Sequence, residues 1–211
     1  MSSQERGGRV FRERIYPVLF MFIVTTFFIS IVTGVYLLTK ENDELNQQLF
    51  LQRAVLYAAG IEVPDSTGAI QSTYRDSIIQ HSDHDSEGAV IAVRYYEVTG
   101  SGSYVLPIGG PGLWGQIEGV AGLNSDLDRL TGVDFTVQNE TPGLGGRIVE
   151  LWFREQFRGK TGPLSRVPER TEGEGANQFD AITGATITST AVEDMLNRVF
   201  EEAPGIIRGG E

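Results

Sequence analysis

A run of 24 residues without a charged side chain, from Ile15 to Leu38, dominates the N-terminal part of this sequence. As an α-helix, a segment of this length reaches about 36 Å, which exceeds the roughly 30 Å hydrocarbon core of a bilayer. The run is longer than the ~7–15 apolar residues of a signal peptide, and no small-x-small cleavage motif follows it. We therefore predict a transmembrane helix over residues 15–38, with a cleaved signal peptide as the alternative.

Charge is distributed unevenly on the two sides of this predicted helix. Residues 1–40 carry five basic and two acidic residues, whereas residues 41–211 carry 12 basic and 26 acidic ones. With one apolar run, we predict a single-pass protein of the inner (cytoplasmic) membrane. Because four arginines precede the run, the positive-inside rule predicts a cytoplasmic N-terminus. Residues 1–14 are then cytoplasmic and the rest is extracytoplasmic, or periplasmic. A domain this acidic repels a phosphate backbone, which argues against a nucleic-acid partner.

The side-chain inventory excludes several kinds of chemistry. The chain has no cysteine, which removes disulfides, thiolate metal sites, iron–sulfur ligation and a cysteine nucleophile. His81 and His84 lie three residues apart among aspartates, but no third ligand converges on them in the sequence. We predict a solvated loop there and no metal site. No Ser/His/Asp or paired-carboxylate pattern is evident, so we predict no catalytic residues.

The segment after the apolar run divides into two parts. Residues 41–59 keep leucines at helical spacing and end before Gly60, which is a suitable C-terminal stop. Residues 62–88 are polar and without clear periodicity. We predict a helical stalk that docks on the following domain and a polar loop, together covering residues 39–88.

Residues 89–205 have the pattern of an α+β domain. Four β-rich runs are separated by glycine-rich segments, at residues 89–98, 103–108, 115–122 and 133–137. An amphipathic helix is predicted over residues 147–157, a linker over 165–176 and a last helix over 189–203, which ends at Pro204. Strands that come first and helices that come later are typical of this fold class.

The segment from Asp180 to Thr190 combines small residues with hydroxyls. Gly184 and Ala185 leave room for a bulky group to approach the backbone, and Thr186 follows them. The next hydroxyls are good N-cap candidates for the last helix, at Thr188, Ser189 and Thr190. A phosphate at such a helix start would meet free N–H groups and the positive end of the dipole. From the residues alone, a capped helix with ordinary threonines is an equal alternative.

Four stretches of the sequence resemble motifs of a known family. Asp180–Thr186 (DAITGAT) resembles the flavinylation motif of the FMN-binding domain family, and Asn139–Gly146 (NETPGLGG) is similar to its Glu-Thr-Pro-Gly-Leu-Gly loop. Trp152–Lys160 resembles the helix that follows that loop. Gly110–Gly115 is similar to a loop in the covalent-FMN subunit of the Na⁺-translocating NADH:quinone oxidoreductase. The string around Asp180 also resembles the covalent-FMN subunit of the Rnf complex, and the resemblance covers residues 89–203.

This resemblance implies a role for individual residues. Thr186 is implied as the acceptor of a covalent FMN, bound through a phosphoester to its hydroxyl oxygen. The implied recognition positions for a flavin transferase are Asp180, Thr183, Gly184 and Ala185. The implied flavin-lining residues are Glu140, Thr141, Leu144 and Gly145, and an apolar wall is implied at Leu113 and Trp114. The alternatives are that Trp114 is core, that Glu140 only braces its turn, and that Leu144 packs inward.

The resemblance implies a membrane-anchored electron carrier. Its partners would be the membrane, the other membrane subunits of an ion-translocating redox complex of either type, and the flavin transferase during maturation. Two alternatives remain open. One is a membrane-tethered flavoenzyme that reduces a soluble extracytoplasmic acceptor, and the other is a noncatalytic anchor or sensor without flavin.

Overall fold

The computed structural model describes residues 15–84, 89–171 and 175–209, without the side chains of residues 39 and 41–44. Contacts divide the chain into two compact units, Met1–Gln47 and Gln48–Glu211. The predicted cytoplasmic segment 1–14 lies outside the described residues. Helices and strands are both abundant in the second unit, which confirms the predicted α+β class.

The N-terminal apolar run is helical, as predicted. Helix α1 extends from Tyr16 to Ala58, and Tyr16–Leu38 is long and apolar enough to cross a membrane. Its side chains in this stretch are largely exposed, so nothing in the described part of the chain covers them. The helix ends before Gly60, whose φ of 76° is the left-handed conformation that favours glycine at a helix end.

The predicted polar loop is wrong over most of its length. Helix α2 spans Thr67–Ser77, with Ser66 as its N-cap, and strand β1 spans Ile78–His84. Because β1 is the edge strand of the sheet, polar side chains along it remain in water while its backbone is paired. His81 stacks on Tyr95, with ring centroids 4.4 Å apart.

Strands β1 to β5 form an antiparallel sheet in sequential order. The remaining four strands are Val90–Val98 (β2), Tyr104–Pro111 (β3), Gln116–Leu123 (β4) and Leu130–Val137 (β5). These strands confirm the four predicted β-rich runs. The predicted linker is wrong in part, because Ser165–Val167 (β6) pairs in parallel with Gln178–Asp180 (β7). Residues 172–174 lie outside the described part of the chain.

Both faces of the sheet are covered by other parts of the domain. Neighbouring residues on a strand point to opposite faces, so each strand contributes to both cores. On β4, Val120 faces the end of α1, where Val55, Leu56 and Ala58 are buried. Ala121 faces the other way, in a core that also contains Phe153. The end of α1 is therefore part of the core on this face of the sheet, and the docking of the whole predicted stalk stays a prediction.

The predicted helix over residues 147–157 is interrupted. A 3₁₀ helix spans Gly145–Val149 and α3 spans Leu151–Glu155. Glu150 between them has an extended ψ of 145°. The two glycines at the start of this segment have a low helix propensity, which agrees with a short and broken element.

The last helix is longer than predicted at both ends. Helix α4 spans Thr186–Arg208 and contains Pro204 in its interior. The N-cap is Ala185 and makes no side-chain hydrogen bond, so the hydroxyl caps predicted further along are wrong. Thr188 and Ser189 lie within the first turn of the helix, where both are buried, and their hydroxyls bond to other partners instead.

Candidate functional site

A cavity of about 250 Å³ opens where the start of α4 meets two glycine-containing loops. It is lined by Leu113, Glu140, Thr141, Leu144, Gly145, Gly184, Ala185, Thr186, Ile187 and Thr188. Three segments that are far apart in the sequence therefore converge here. They bring together eight of the residues that the sequence motifs nominated.

Thr186 lies at the edge of this cavity as the first residue of a 23-residue helix. Its side chain is exposed. Since the first N–H groups of a helix have no partner within the helix, and Ala185 provides no side-chain cap, the start of α4 has free donors. The arrangement presents a hydroxyl beside a region that favours an anion.

Glu140 connects the loop at 113–114 to helix α4. Its side chain is 5% exposed. Oε1 accepts hydrogen bonds from the backbone N–H groups of Leu113 (2.9 Å) and Trp114 (3.0 Å). Oε2 accepts one from the Thr188 hydroxyl at 2.5 Å. Glu140 thus lines the cavity and also braces it, so the two readings proposed for this residue are compatible.

Two glycines make room for this carboxylate. A Cβ placed on Gly112 would lie 2.5 Å from Glu140 Oε1. A Cβ on Gly145 would lie 2.5 Å from Thr188 Oγ1 and 2.7 Å from Glu140 Oε2. A side chain at either position would displace the carboxylate or its partners, which gives a physical reason for glycine in both motif loops.

The turn before Thr186 is fixed by hydrogen bonds of its backbone. The N–H of Ile182 donates to Ser189 Oγ at 3.1 Å, and that of Thr183 donates to Glu169 Oε2 at 2.7 Å. Gly184 has a φ of 79°, which a residue with a side chain rarely adopts. The conformation of the turn is therefore defined by side chains outside the motif as well as within it.

An ion pair holds the carboxylate that supports this turn. The Arg147 guanidinium donates from both terminal nitrogens to the Glu169 carboxylate, at 3.0 and 3.3 Å. The hydrogen bonds from Arg147, followed by those from Thr183, lower the pKa of Glu169 to about 2. Arg147 also lies over the Trp152 ring, 4.9 Å from its centroid.

Three of the nominated residues lie outside the cavity lining. Asp180 accepts hydrogen bonds from Arg170 N (2.8 Å) and Thr171 Oγ1 (3.2 Å) and so holds the preceding turn. Trp114 is 68% exposed, which excludes the reading of Trp114 as core. Its indole N–H donates to Thr141 Oγ1 at 3.1 Å. Thr183 points its backbone N–H at Glu169 rather than into the cavity.

Sequence reasoning missed Arg147 and Glu169 as residues that shape the site. Glu169 lies in a segment that we predicted to be a linker, and nothing in its local sequence indicates a contact with Thr183. Ile187 was also missed as a lining residue. Among the described residues, no group of three or more His, Asp or Glu side chains is arranged to hold a metal ion.

Comparison with known proteins shows which proteins this domain is similar to. Residues 112–201 match the family described as FMN-binding domain. The chain is 35% identical over 123 residues to the G subunit of an ion-translocating oxidoreductase complex from Methanosarcina acetivorans, which covers 57% of this chain and 63% of that protein. It is 32% identical over 116 residues to the C subunit of the Na⁺-translocating NADH-quinone reductase from Yersinia pestis, which covers 50% and 44%. The matches thus span less than two thirds of these relatives.

The fold has a close counterpart among solved structures. The C subunit of the Na⁺-translocating NADH-quinone reductase from Parabacteroides distasonis superposes with a TM-score of 0.61 at 24% identity, covering 80% of this chain and 96% of that one. At this identity the likeness concerns the fold alone. The family match over residues 112–201 and the named relatives confirm the resemblance inferred from the motifs: this part of the chain is similar to the FMN-binding domain family.

Proposed function

We propose that this chain is a membrane-anchored electron carrier in which FMN is bound covalently, through a phosphoester, to the hydroxyl oxygen of Thr186. The carrier serves as one subunit of an ion-translocating redox complex. The observation that carries the proposal is the position of Thr186, an exposed hydroxyl at the first residue of α4 and at the edge of a cavity inside the FMN-binding domain.

The residues around Thr186 fit the two parts of FMN. The uncapped start of α4 offers N–H groups and a favourable dipole to the phosphate. Gly184, which is exposed, keeps the backbone accessible beside the cavity. Leu113, Leu144 and Ile187 line it with apolar surface suited to an isoalloxazine ring. A flavin held here supplies the redox chemistry, and the protein supplies its attachment and orientation.

The mouth of the cavity favours a subunit of a larger assembly. Large apolar side chains are exposed around it: Leu113 by 49%, Trp114 by 68%, Leu144 by 42% and Ile187 by 56%. An exposed apolar cluster of this kind indicates a binding surface, because soluble proteins rarely expose contiguous apolar patches. A flavin and a neighbouring membrane subunit would together cover these side chains. The proposed partners are therefore the other membrane subunits, and a flavin transferase during maturation.

The proposed orientation places the flavin domain outside the cytoplasm. It rests on the arginines before the apolar run and on the membrane-spanning length of Tyr16–Leu38. The domain is then anchored to the outer face of the inner membrane by a single helix.

Intact mass tests the covalent linkage. The full chain, produced together with a flavin transferase and purified in detergent, is expected to carry an increment equal to FMN less water. Peptide mapping is expected to locate this increment on the peptide that contains Thr186. The transferase is checked in parallel on a second protein that it modifies. If that protein is modified and this chain stays at its unmodified mass, the proposed linkage is wrong.

Cysteine labelling tests the orientation. Because the chain has no cysteine, single variants report one position each. In spheroplasts, a membrane-impermeant maleimide is expected to label Ser125→Cys, at an exposed position of the domain, and to label Ser3→Cys only after lysis. The reverse pattern would place the domain in the cytoplasm.

A further inference from the structure

We propose that Glu169 is a positioning residue for the attachment of FMN to Thr186, and that Arg147 holds Glu169 in place for this task. The inference rests on the proposed function, since it concerns the modification of the same threonine. Neither residue belongs to the motif that surrounds Thr186, and neither lines the cavity.

The first step is the contact between Glu169 and the turn. Glu169 Oε2 accepts the backbone N–H of Thr183 at 2.7 Å, three residues before Thr186. Within the described part of the turn, the neighbouring N–H groups of Ala181 and Ala185 bond to backbone carbonyls, at 2.8 and 3.0 Å. Without an acceptor at position 169, the N–H of Thr183 donates to water instead. The turn that leads into α4 then loses one of the hydrogen bonds that hold it.

The second step is the link between two segments that each include lining residues of the cavity. Arg147 belongs to the 3₁₀ helix Gly145–Val149, which directly follows the lining residue Leu144. The turn on the other side is close, since a Cβ placed on Gly184 would lie 3.1 Å from Leu144 Cδ2. The paired Arg147 and Glu169 therefore connect the two segments between which Thr186 must receive its substituent.

The third step explains why position 169 is well defined. Arg170, the next residue, has a φ of 65°. Asp180 holds that turn by accepting hydrogen bonds from Arg170 N and Thr171 Oγ1. Asp180 and Thr183, both parts of the motif, thus act on the same short turn that presents Glu169. The motif and the ion pair form one continuous network.

The reaction that the network serves is a phosphoryl transfer from a flavin dinucleotide. The Thr186 hydroxyl oxygen forms a bond to the FMN phosphorus, and the pyrophosphate bond of FAD breaks. AMP leaves with the electron pair, and the hydroxyl proton passes to solvent. Such a transfer requires the oxygen to be held in line with the leaving group, so the geometry of the turn controls its rate.

The test measures the rate of attachment on the full chain in detergent. Unmodified protein is mixed with purified flavin transferase and FAD, and the mass increment is followed over time at low and saturating chain concentrations. Glu169→Ala is expected to lower the rate per unit concentration by roughly tenfold to a hundredfold, the scale of one hydrogen bond to a charged group. Glu169→Gln keeps an acceptor oxygen but loses the ionic pairing, and is expected to fall between Glu169→Ala and the wild type.

A matched control removes a different Arg–Glu pair. Glu193 on α4 pairs with Arg166 on β6, and neither is bonded to the turn before Thr186. Glu193→Gln is expected to be modified at the wild-type rate. The exchange Arg147→Glu with Glu169→Arg restores an ion pair, but an arginine cannot accept the Thr183 N–H. This double variant keeps an Arg–Glu pair but not the acceptor, and is expected still to be modified slowly.

A second readout does not depend on the transferase. In hydrogen–deuterium exchange of the unmodified chain, the peptide containing Thr183 is expected to exchange faster in Glu169→Ala than in the wild type. The pKa of Glu169 is about 2 against an ordinary 4.5. The stability difference between wild type and Glu169→Gln is therefore complete above pH 4.5 and disappears as the pH falls to about 2.

The outcomes separate this inference from the proposed function. If the wild type gains no FMN, the proposed function fails. If the wild type gains FMN and the exchange variant gains it equally fast, Glu169 has no positioning role. Wild-type rates in both Glu169 variants lead to the same conclusion. If Glu169→Ala does not fold, Glu169→Gln and the exchange variant decide between these results.

Discussion

Replacing Thr186 with valine is expected to abolish covalent FMN attachment completely. Valine has nearly the shape of threonine and removes only the hydroxyl to which the phosphoester is proposed to form. Thr186 is exposed at the first position of α4, so the change is expected to alter the stability of the domain by no more than about 0.5 kcal/mol. Intact mass after production with the transferase is the measurement.

Two further variants make this result specific. Thr186→Ser keeps a hydroxyl at the same place and is expected to retain at least part of the increment. Thr190→Val removes a hydroxyl one helical turn further on, where it donates to the Thr186 carbonyl at 2.8 Å, and is expected to remain fully modified. A full FMN increment on Thr186→Val would assign the attachment to another residue.

Replacing Gly145 with alanine is expected to disrupt the cavity. The added Cβ would lie 2.5 Å from Thr188 Oγ1 and 2.7 Å from Glu140 Oε2, so the bond between these two side chains has to give way. Overpacking of this kind costs about 1–3 kcal/mol. For a chain of this size, the expected decrease in the unfolding temperature is roughly 2–4 °C per kcal/mol.

The neighbouring glycine provides the control. At Gly146 the nearest atom to an added Cβ is the Thr141 carbonyl oxygen at 3.3 Å, which requires only a small shift. Gly146→Ala is expected to unfold close to the wild-type temperature and to accept FMN normally, whereas Gly145→Ala is expected to unfold earlier and to accept less. Equal unfolding temperatures for the two variants would show that the loop relaxes without loss and that Glu140 is not a rigid brace.

Elements with a strong periodic or compositional signal could be predicted from the sequence. The apolar helix, the four β-rich runs and the existence of the last helix are local patterns, and the structure contains all of them. Strand β1 escaped prediction because an edge strand with polar side chains lacks a clear alternation of burial. The start of α4 was misplaced because its hydroxyls are good caps in isolation, whereas here they bond to Glu140 and Ile182.

The candidate site divides in the same way. Three of the four family-like stretches nominated most of the cavity lining, because each is a short, recognisable string: Gly110–Gly115, Asn139–Gly146 and Asp180–Thr186. Position relative to the cavity was not predictable for Trp114, which is mostly exposed, or for Asp180, which holds a neighbouring turn. Arg147 and Glu169 lie 22 residues apart, and their pairing exists only after β6, β7 and the 3₁₀ helix have come together.

By itself, the sequence determined the apolar helix of membrane-spanning length, the acidic domain without cysteine, and the threonine that we propose as the attachment point of the flavin phosphate. These are properties of composition and of short segments, which the chain carries whatever its fold. Tertiary structure alone decided that Thr186 starts a helix, that Glu140 joins two loops to it, and that Glu169 reaches the turn from a distant segment. These contacts depend on which backbone N–H groups lack a partner after folding, and only the complete packing of the chain settles that.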